Sequence, residues 1–184
     1  MTVVKKLALV NIILFIVGYL LESSNIPFYK SFVLFPTDSV DYQHYQWLSH
    51  QFLHGGLFHL VFNMIALVSF GPVVEKLFKK SFIYFYLLCG LGGALLQSTS
   101  LGGPMLGASG AIFGVLLVSA ILEPDSKILL FFILPIKSKV IIPLILLFEA
   151  YLAFFGEYDG IGHLAHLGGA LTGFIYYLIK SKNV

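Results

Sequence analysis

The sequence predicts an all-α polytopic membrane protein, a bundle of six spanning helices. Three observations predict it. Of 184 residues, 58% are hydrophobic and only 11% charged, far too little charge to clothe a water-soluble surface. The apolar residues gather into six runs near the length of roughly 17–25 residues that crosses a hydrocarbon core. Threaded in that order from an inner N-terminus, the chain puts ten of its eleven lysines on the inner side and only Lys30 outside, as the positive-inside rule requires.

The first run, 7–22, follows Lys5 and Lys6 and lacks a small-residue cleavage site, so it reads as an anchor and not a signal peptide. The connection 23–56 is the longest. It holds Pro27, Pro36, Asp38 and Asp41, together with Phe28, Tyr29, Phe32, Phe35, Tyr42, Tyr45 and Trp47. Rings at this density predict a first loop half-sunk at the headgroup level. The second run, 57–75, carries His59 and Asn63 and ends at Glu75, an interface anchor or a lysine's partner. The third, 82–99, holds Cys89, the only cysteine, which excludes an internal disulfide and reads as packing.

The fourth run, 106–122, opens on Leu106-Gly107-Ala108-Ser109-Gly110-Ala111. The stretch 128–134 is apolar but too short to span. Lying between Lys127 and the Lys137/Lys139 pair, with Pro135 beside it, it is expected as an interfacial loop or short helix. Counting it as a span would spoil the lysine partition. The fifth run, 140–156, contains Glu149, expected to point inward or to find a donor because a lipid-facing carboxylate is unfavourable; no function attaches to it. The sixth, 162–179, contains His163 and His166. Residues 1–184 read as a single domain without repeats, with both termini cytoplasmic. The net charge of +2, carried by lysines at loop anchors, gives no nucleic-acid surface.

The polar residues converge at one depth. Ser109 lies at the outer mouth of the fourth run, where a helix start supplies free N–H groups and a positive dipole end suited to a developing oxyanion. A serine there often serves only as a cap, but Gly107, Gly110 and Gly114 around it let a substrate or a second backbone approach closely. His166 shares a helix face with Gly162, Gly169, Ala170 and Gly173. That stripe predicts tight packing against Gly110 and Gly114, which brings the imidazole to the serine. His59 and Asn63, spaced i, i+4, share a face and can donate hydrogen bonds. With the Ser109 amide they form an expected oxyanion hole. His50 and His54 are expected to shape the outer loop. No acidic residue presents itself to orient His166, since Glu157 and Asp159 precede its helix. The expectation is a serine–histidine dyad, with Phe113, four after Ser109, fixing the ring.

These residues resemble a rhomboid intramembrane serine protease of the minimal six-helix bacterial type. The resemblance rests on Gly107-Ala108-Ser109-Gly110, on His59-Leu60-Val61-Phe62-Asn63, on the His50/His54/His59 spacing, and on His166 followed by Gly169-x-x-x-Gly173. It implies Ser109 as nucleophile, His166 as base and then acid, and His59, Asn63 and the Ser109 amide around the oxyanion. It also implies transmembrane protein substrates, cut in or near their membrane segment, and an active site toward the outer side of the cell membrane. Two positions depart from the family pattern. Tyr45-Gln46 stands where a Trp-Arg pair is common in the first loop, and Phe113 where tyrosine is common.

The alternative is a catalytically silent relative that binds membrane helices. A metal or haem protein is disfavoured because no His-Glu-x-x-His occurs and no cysteine or carboxylate completes a zinc set. A transporter is disfavoured because the polar residues stop in the outer half. No cofactor or metal is expected. The physiological substrate, its entry route and the oligomeric state are not written in the sequence.

Overall fold

In the computed structural model, which describes residues 1–99, 103–130, 133–157 and 159–181, the chain is a helical membrane bundle. Its long helices are α1 (Val3–Ser23), α4 (Leu57–Phe78), α5 (Phe82–Gln97), α6 (Ser109–Leu122), α7 (Ser138–Phe155) and α8 (His163–Ser181). Two short helices, α2 (Phe28–Phe32) and α3 (Gln46–Ser49), lie in the first loop. By length and hydropathy α1, α7 and the continuous run Leu57–Gln97 are candidate spans. That run is long enough for two crossings. It divides at Lys79, where φ of 52° ends α4 and a 3₁₀ turn leads into α5.

α1 begins four residues before the expected 7–22. Thr2 Oγ1 accepts from the Lys5 amide, and the Glu75 carboxylate accepts from the amides of Val3 at 2.6 Å and Val4 at 3.1 Å. Glu75 therefore caps a neighbouring helix, where sequence reading had it anchoring the interface or pairing with a lysine. Helix N-termini leave such amides unpaired, and an anion complements their dipole.

α6 is shorter than the expected 106–122. It starts at Ser109 because Gly107, with φ of +129°, turns the chain in a conformation other residues rarely adopt. Gly107 N also donates to the His50 carbonyl at 2.9 Å. Fourteen residues fall short of a bilayer crossing, yet eight of them are buried. α6 runs through the middle of the bundle, shielded by its neighbours from the need to match lipid thickness. The stripe of small residues on α8 meets α6 as expected: Gly169 lies on Gly110 and Gly173 on Gly114, backbone against backbone. On α5, Gly93 packs on the Ala165 carbonyl.

Where 128–134 is expected as an interfacial loop or short helix, its described residues include strand. Lys127–Leu130 (β1) and Leu134–Lys137 (β2) pair antiparallel, Lys127 opposite Lys137. Short apolar arms, Ile128-Leu129-Leu130 and Leu134-Pro135-Ile136, with a proline in one, suit a ribbon better than a helix. Its base is tied by Lys137 and Lys139, each 2.9 Å from Asp125. Phe131 and Phe132, and Lys182, expected on the inner side, lie outside the described residues.

The first loop is folded onto the bundle. Buried Gln46 is its tie point: its Oε1 accepts from the amides of Gln43 and Phe35, and its Nε2 donates to the Asp41 carbonyl at 3.0 Å. The position that departs from the family's Trp-Arg pattern thus still anchors the loop. Leu34 pairs with Met105 across a β-bridge, fastening the first loop to the chain that enters α6.

Candidate active site

At the bundle end where the first loop, residues 103–108 and residues 160–162 meet sits a cavity of about 330 Å³. Ser109, Gly107, His59, His50, Gln97 and Ala165 are among its walls. Ser109 is the first residue of α6, so its own amide is among the four that no helical carbonyl reaches. The close α6–α8 contact at Gly110 and Gly169 carries His166 to it: His166 Nε2 lies 2.9 Å from Ser109 Oγ. Phe113, one turn below the serine, stacks on the imidazole with centroids 4.2 Å apart and planes 4° from parallel.

The other ring nitrogen has a partner that sequence reasoning missed. His166 Nδ1 lies 2.8 Å from Glu149 Oε2, on α7. The expectation that no acidic residue orients His166 is overturned. The same oxygen faces His163 Nδ1 at 2.6 Å, while His163 Nε2 lies 3.3 Å from Asp159 Oδ2. A carboxylate oxygen only accepts, so His166 Nδ1 bears the proton. In the neutral ring Nε2 is then the acceptor, and Ser109 Oγ donates to it. One signal did point here: Glu149 is expected to face inward or to find a donor, and it has found two. What spacing could not say was which helix it would face, because its partners lie 14 and 17 residues away.

His59 and Asn63 fall differently. His59 lies at the cavity wall, its ring against Gly107, where an added Cβ would come within 2.9 Å of its Cε1. Asn63, one turn along α4, is buried and outside the cavity lining. Its Nδ2 finds no acceptor among the described residues, and a buried donor left open is costly.

His50 and His54 are buried in the first loop. His50 Nδ1 donates to the Gln46 carbonyl at 2.8 Å, a structural bond that also fixes the carbonyl accepting from Gly107. Burial lowers the His50 pKa to about 4 and that of His54 to about 3, because a charged ring there would lose its hydration. Asp159, in the exposed loop, has its pKa lowered first by the hydrogen bond from the Ile161 amide and then by His163.

Glu149, His163 and His166 each aim one donor atom into a space where all three atoms lie within 4.8 Å of one another. The expectation that no carboxylate completes a zinc set is therefore corrected. Both imidazole contacts to Glu149 already have hydrogen-bond length, and a cation there would have to displace the Nδ1 protons.

Comparison with known proteins adds a family. The model for the Rhomboid domain matches residues 41–183. The chain is 35% identical over 149 residues to Rhomboid protein 1, mitochondrial, of Saccharomyces cerevisiae, covering 72% of this chain and 41% of that protein. It is 38% identical over 139 residues to RHOMBOID-like protein 2 of Arabidopsis thaliana, covering 73% and 42%. It is 34% identical over 123 residues to Rhomboid protease GluP of Bacillus subtilis, covering 66% and 23%. The chain matches less than half the length of each of these relatives.

Proposed function

The chain belongs to the rhomboid family, and we propose that it is an intramembrane serine endopeptidase that cleaves other transmembrane proteins in or near their membrane segment. The observation that carries the reading is the Ser109–His166 hydrogen bond of 2.9 Å at the floor of a cavity within a membrane bundle. Ser109 Oγ attacks the scissile carbonyl carbon as His166 Nε2 takes its proton. The carbonyl oxygen becomes an oxyanion, held by the Ser109 amide, His59 and the open Asn63 Nδ2. His166 then protonates the leaving amine, and the C–N bond breaks to leave an acyl-serine. Water, deprotonated by the same nitrogen, attacks the ester carbon; the acyl C–Oγ bond breaks, His166 returns the proton to Ser109 Oγ, and the second fragment leaves as a carboxylate.

A helical substrate must unwind before its carbonyl can reach Ser109, because the helix occupies every backbone group. Segments rich in small or helix-breaking residues are therefore the substrates expected. The lysine partition puts both termini in the cytoplasm and the cavity toward the outer face of the cell membrane, with residues 1–184 acting as one domain. Water reaches the serine from that face.

The test is incubation of the detergent-solubilised protein with a model transmembrane substrate, beside its Ser109→Ala and His166→Ala forms. Both variants should lose cleavage while remaining folded, and a fluorophosphonate should label Ser109. Substantial cleavage by purified Ser109→Ala would sink the serine mechanism. Folded wild-type protein that binds substrate yet neither cleaves it nor takes the label would return the reading to a silent, helix-binding relative.

A further inference from the structure

A carboxylate well inside an apolar helix is costly unless donors fill its lone pairs. Glu149 is such a group, 13% exposed at its side chain, and its Oε2 receives two imidazole N–H bonds at 2.6 and 2.8 Å. The consequence for His166 is chemical. A ring flip or a tautomer change would present a protonated nitrogen to Ser109 and end its use as a base. Phe113 does not prevent either, since a stacked face fixes the ring plane and leaves both edges equivalent. Glu149 prevents both, because only the arrangement with the proton on Nδ1 satisfies it. When His166 takes the serine proton, the new imidazolium lies directly beside the carboxylate. His163 braces the arrangement: its two nitrogens face Glu149 and Asp159, which holds the carboxylate oxygen in place from the second side.

We propose that Glu149 is the positioning carboxylate of this site, holding His166 in the tautomer that accepts from Ser109 and stabilising the imidazolium formed during attack, with His163 bridging it to the loop through Asp159. The inference rests on the Ser109/His166 reading. The serine's proton passes to His166 and from it to the leaving amine; Glu149 supplies charge and orientation and is not itself protonated.

The test compares Glu149→Ala, Glu149→Gln and Glu149→Asp in the full chain, purified in detergent, with kcat and KM measured on a model transmembrane substrate. Folding is checked by thermal unfolding. Loss of an orienting carboxylate lowers kcat on the order of 10²–10⁴-fold in serine hydrolases. A fall of that size is expected for Glu149→Ala and Glu149→Gln, with KM little changed and a partial return of kcat in Glu149→Asp. A merely structural glutamate would move stability or KM and would not distinguish carboxylate from amide. Should Glu149→Ala fail to fold, the nearly isosteric Glu149→Gln carries the comparison. In addition, ¹⁵N spectra of the histidine-labelled wild-type protein should show His166 protonated at Nδ1 and bare at Nε2. The opposite tautomer overturns the proposal, as does a folded Glu149→Gln whose kcat stays within about tenfold of wild type. Cleavage surviving in Ser109→Ala defeats the serine reading itself, whereas an inactive Ser109→Ala beside a fully active Glu149→Gln defeats only the role given to Glu149.

Discussion

Gly169→Ala tests the idea that backbone contact between two helices sets the geometry of the site. A Cβ at Gly169 would meet the Gly110 carbonyl, with the Gly110 carbonyl carbon at 2.6 Å and its Cα at 3.0 Å. Carbon atoms rest at about 3.5–4.0 Å, so α6 and α8 must part by roughly 1 Å at that point. Gly110 follows the nucleophile directly and Gly169 is three residues past His166, so most of the displacement falls on the reacting pair. Their separation of 2.9 Å would grow past the roughly 3.2 Å limit of a sound hydrogen bond. A 1 Å misplacement can cost about 10²-fold in rate, and overpacking typically costs about 1–3 kcal/mol in stability. The upper part of that range applies here, because the obstacle is backbone and cannot rotate away. The assay is cleavage of a model transmembrane substrate, with unfolding followed in parallel. Gly173→Ala, whose Cβ would lie 2.8 Å from the Gly114 Cα, should lose comparable stability and less rate, being a further turn from the histidine. Gly56→Ala, whose Cβ meets nothing within 4 Å, should match wild type. If Gly169→Ala cleaves at nearly the wild-type rate, the α6–α8 contact does not govern the serine–histidine distance and the reasoning fails.

Three further outcomes are expected. His59→Ala and Asn63→Ala should each lower kcat by about 10²–10³-fold with little change in KM, the usual loss for one oxyanion donor; effects confined to KM would make them substrate-positioning groups. His50 and His54 are neutral when folded, with pKa values lowered to about 4 and about 3 from 6.5, so the unfolded chain binds protons first. Stability should be level above pH ~6.5 and fall as pH drops toward 4, by about 3 kcal/mol for His50 alone; a flat profile from denaturant titration in micelles between pH 7 and 4 would contradict their buried, neutral state. Glu75→Gln should destabilise the protein by about 0.5–2 kcal/mol through the lost charged cap on α1, leaving cleavage by the folded fraction unchanged. An equal loss in Glu75→Gln and Glu75→Ala would show that the charge contributes nothing.

Much of this protein follows from one-dimensional pattern. Runs of apolar residues locate the long helices because lipid leaves the backbone no other way to satisfy itself. Lysine placement gives those helices an expected orientation, since each charge must stay in water on one side. Gly107, Ser109 and Gly110 mark the proposed nucleophile because only small residues allow close approach, and the stripe from Gly162 to Gly173 foretells the helix face that meets them. Within one helix, spacing is geometry: His59 and Asn63 share a face whatever surrounds them.

Tertiary structure decided what spacing along one helix cannot express. Glu149 joins His166 and His163 across the gap between α7 and α8, a match of depth and rotation that is set by packing and invisible in local sequence. Gln46 anchors the first loop through carbonyls and amides up to 15 residues away, partners that its side-chain type alone does not name. β1 and β2 pair because two short apolar arms find each other, and pairing between strands is a property of the partner as much as of the residue. α6 is short because its neighbours, and not lipid, surround it. In each case the deciding interaction joins distant residues. Hydropathy and helical period report each residue's demand for burial or for a face, and only the folded chain determines which neighbour meets it.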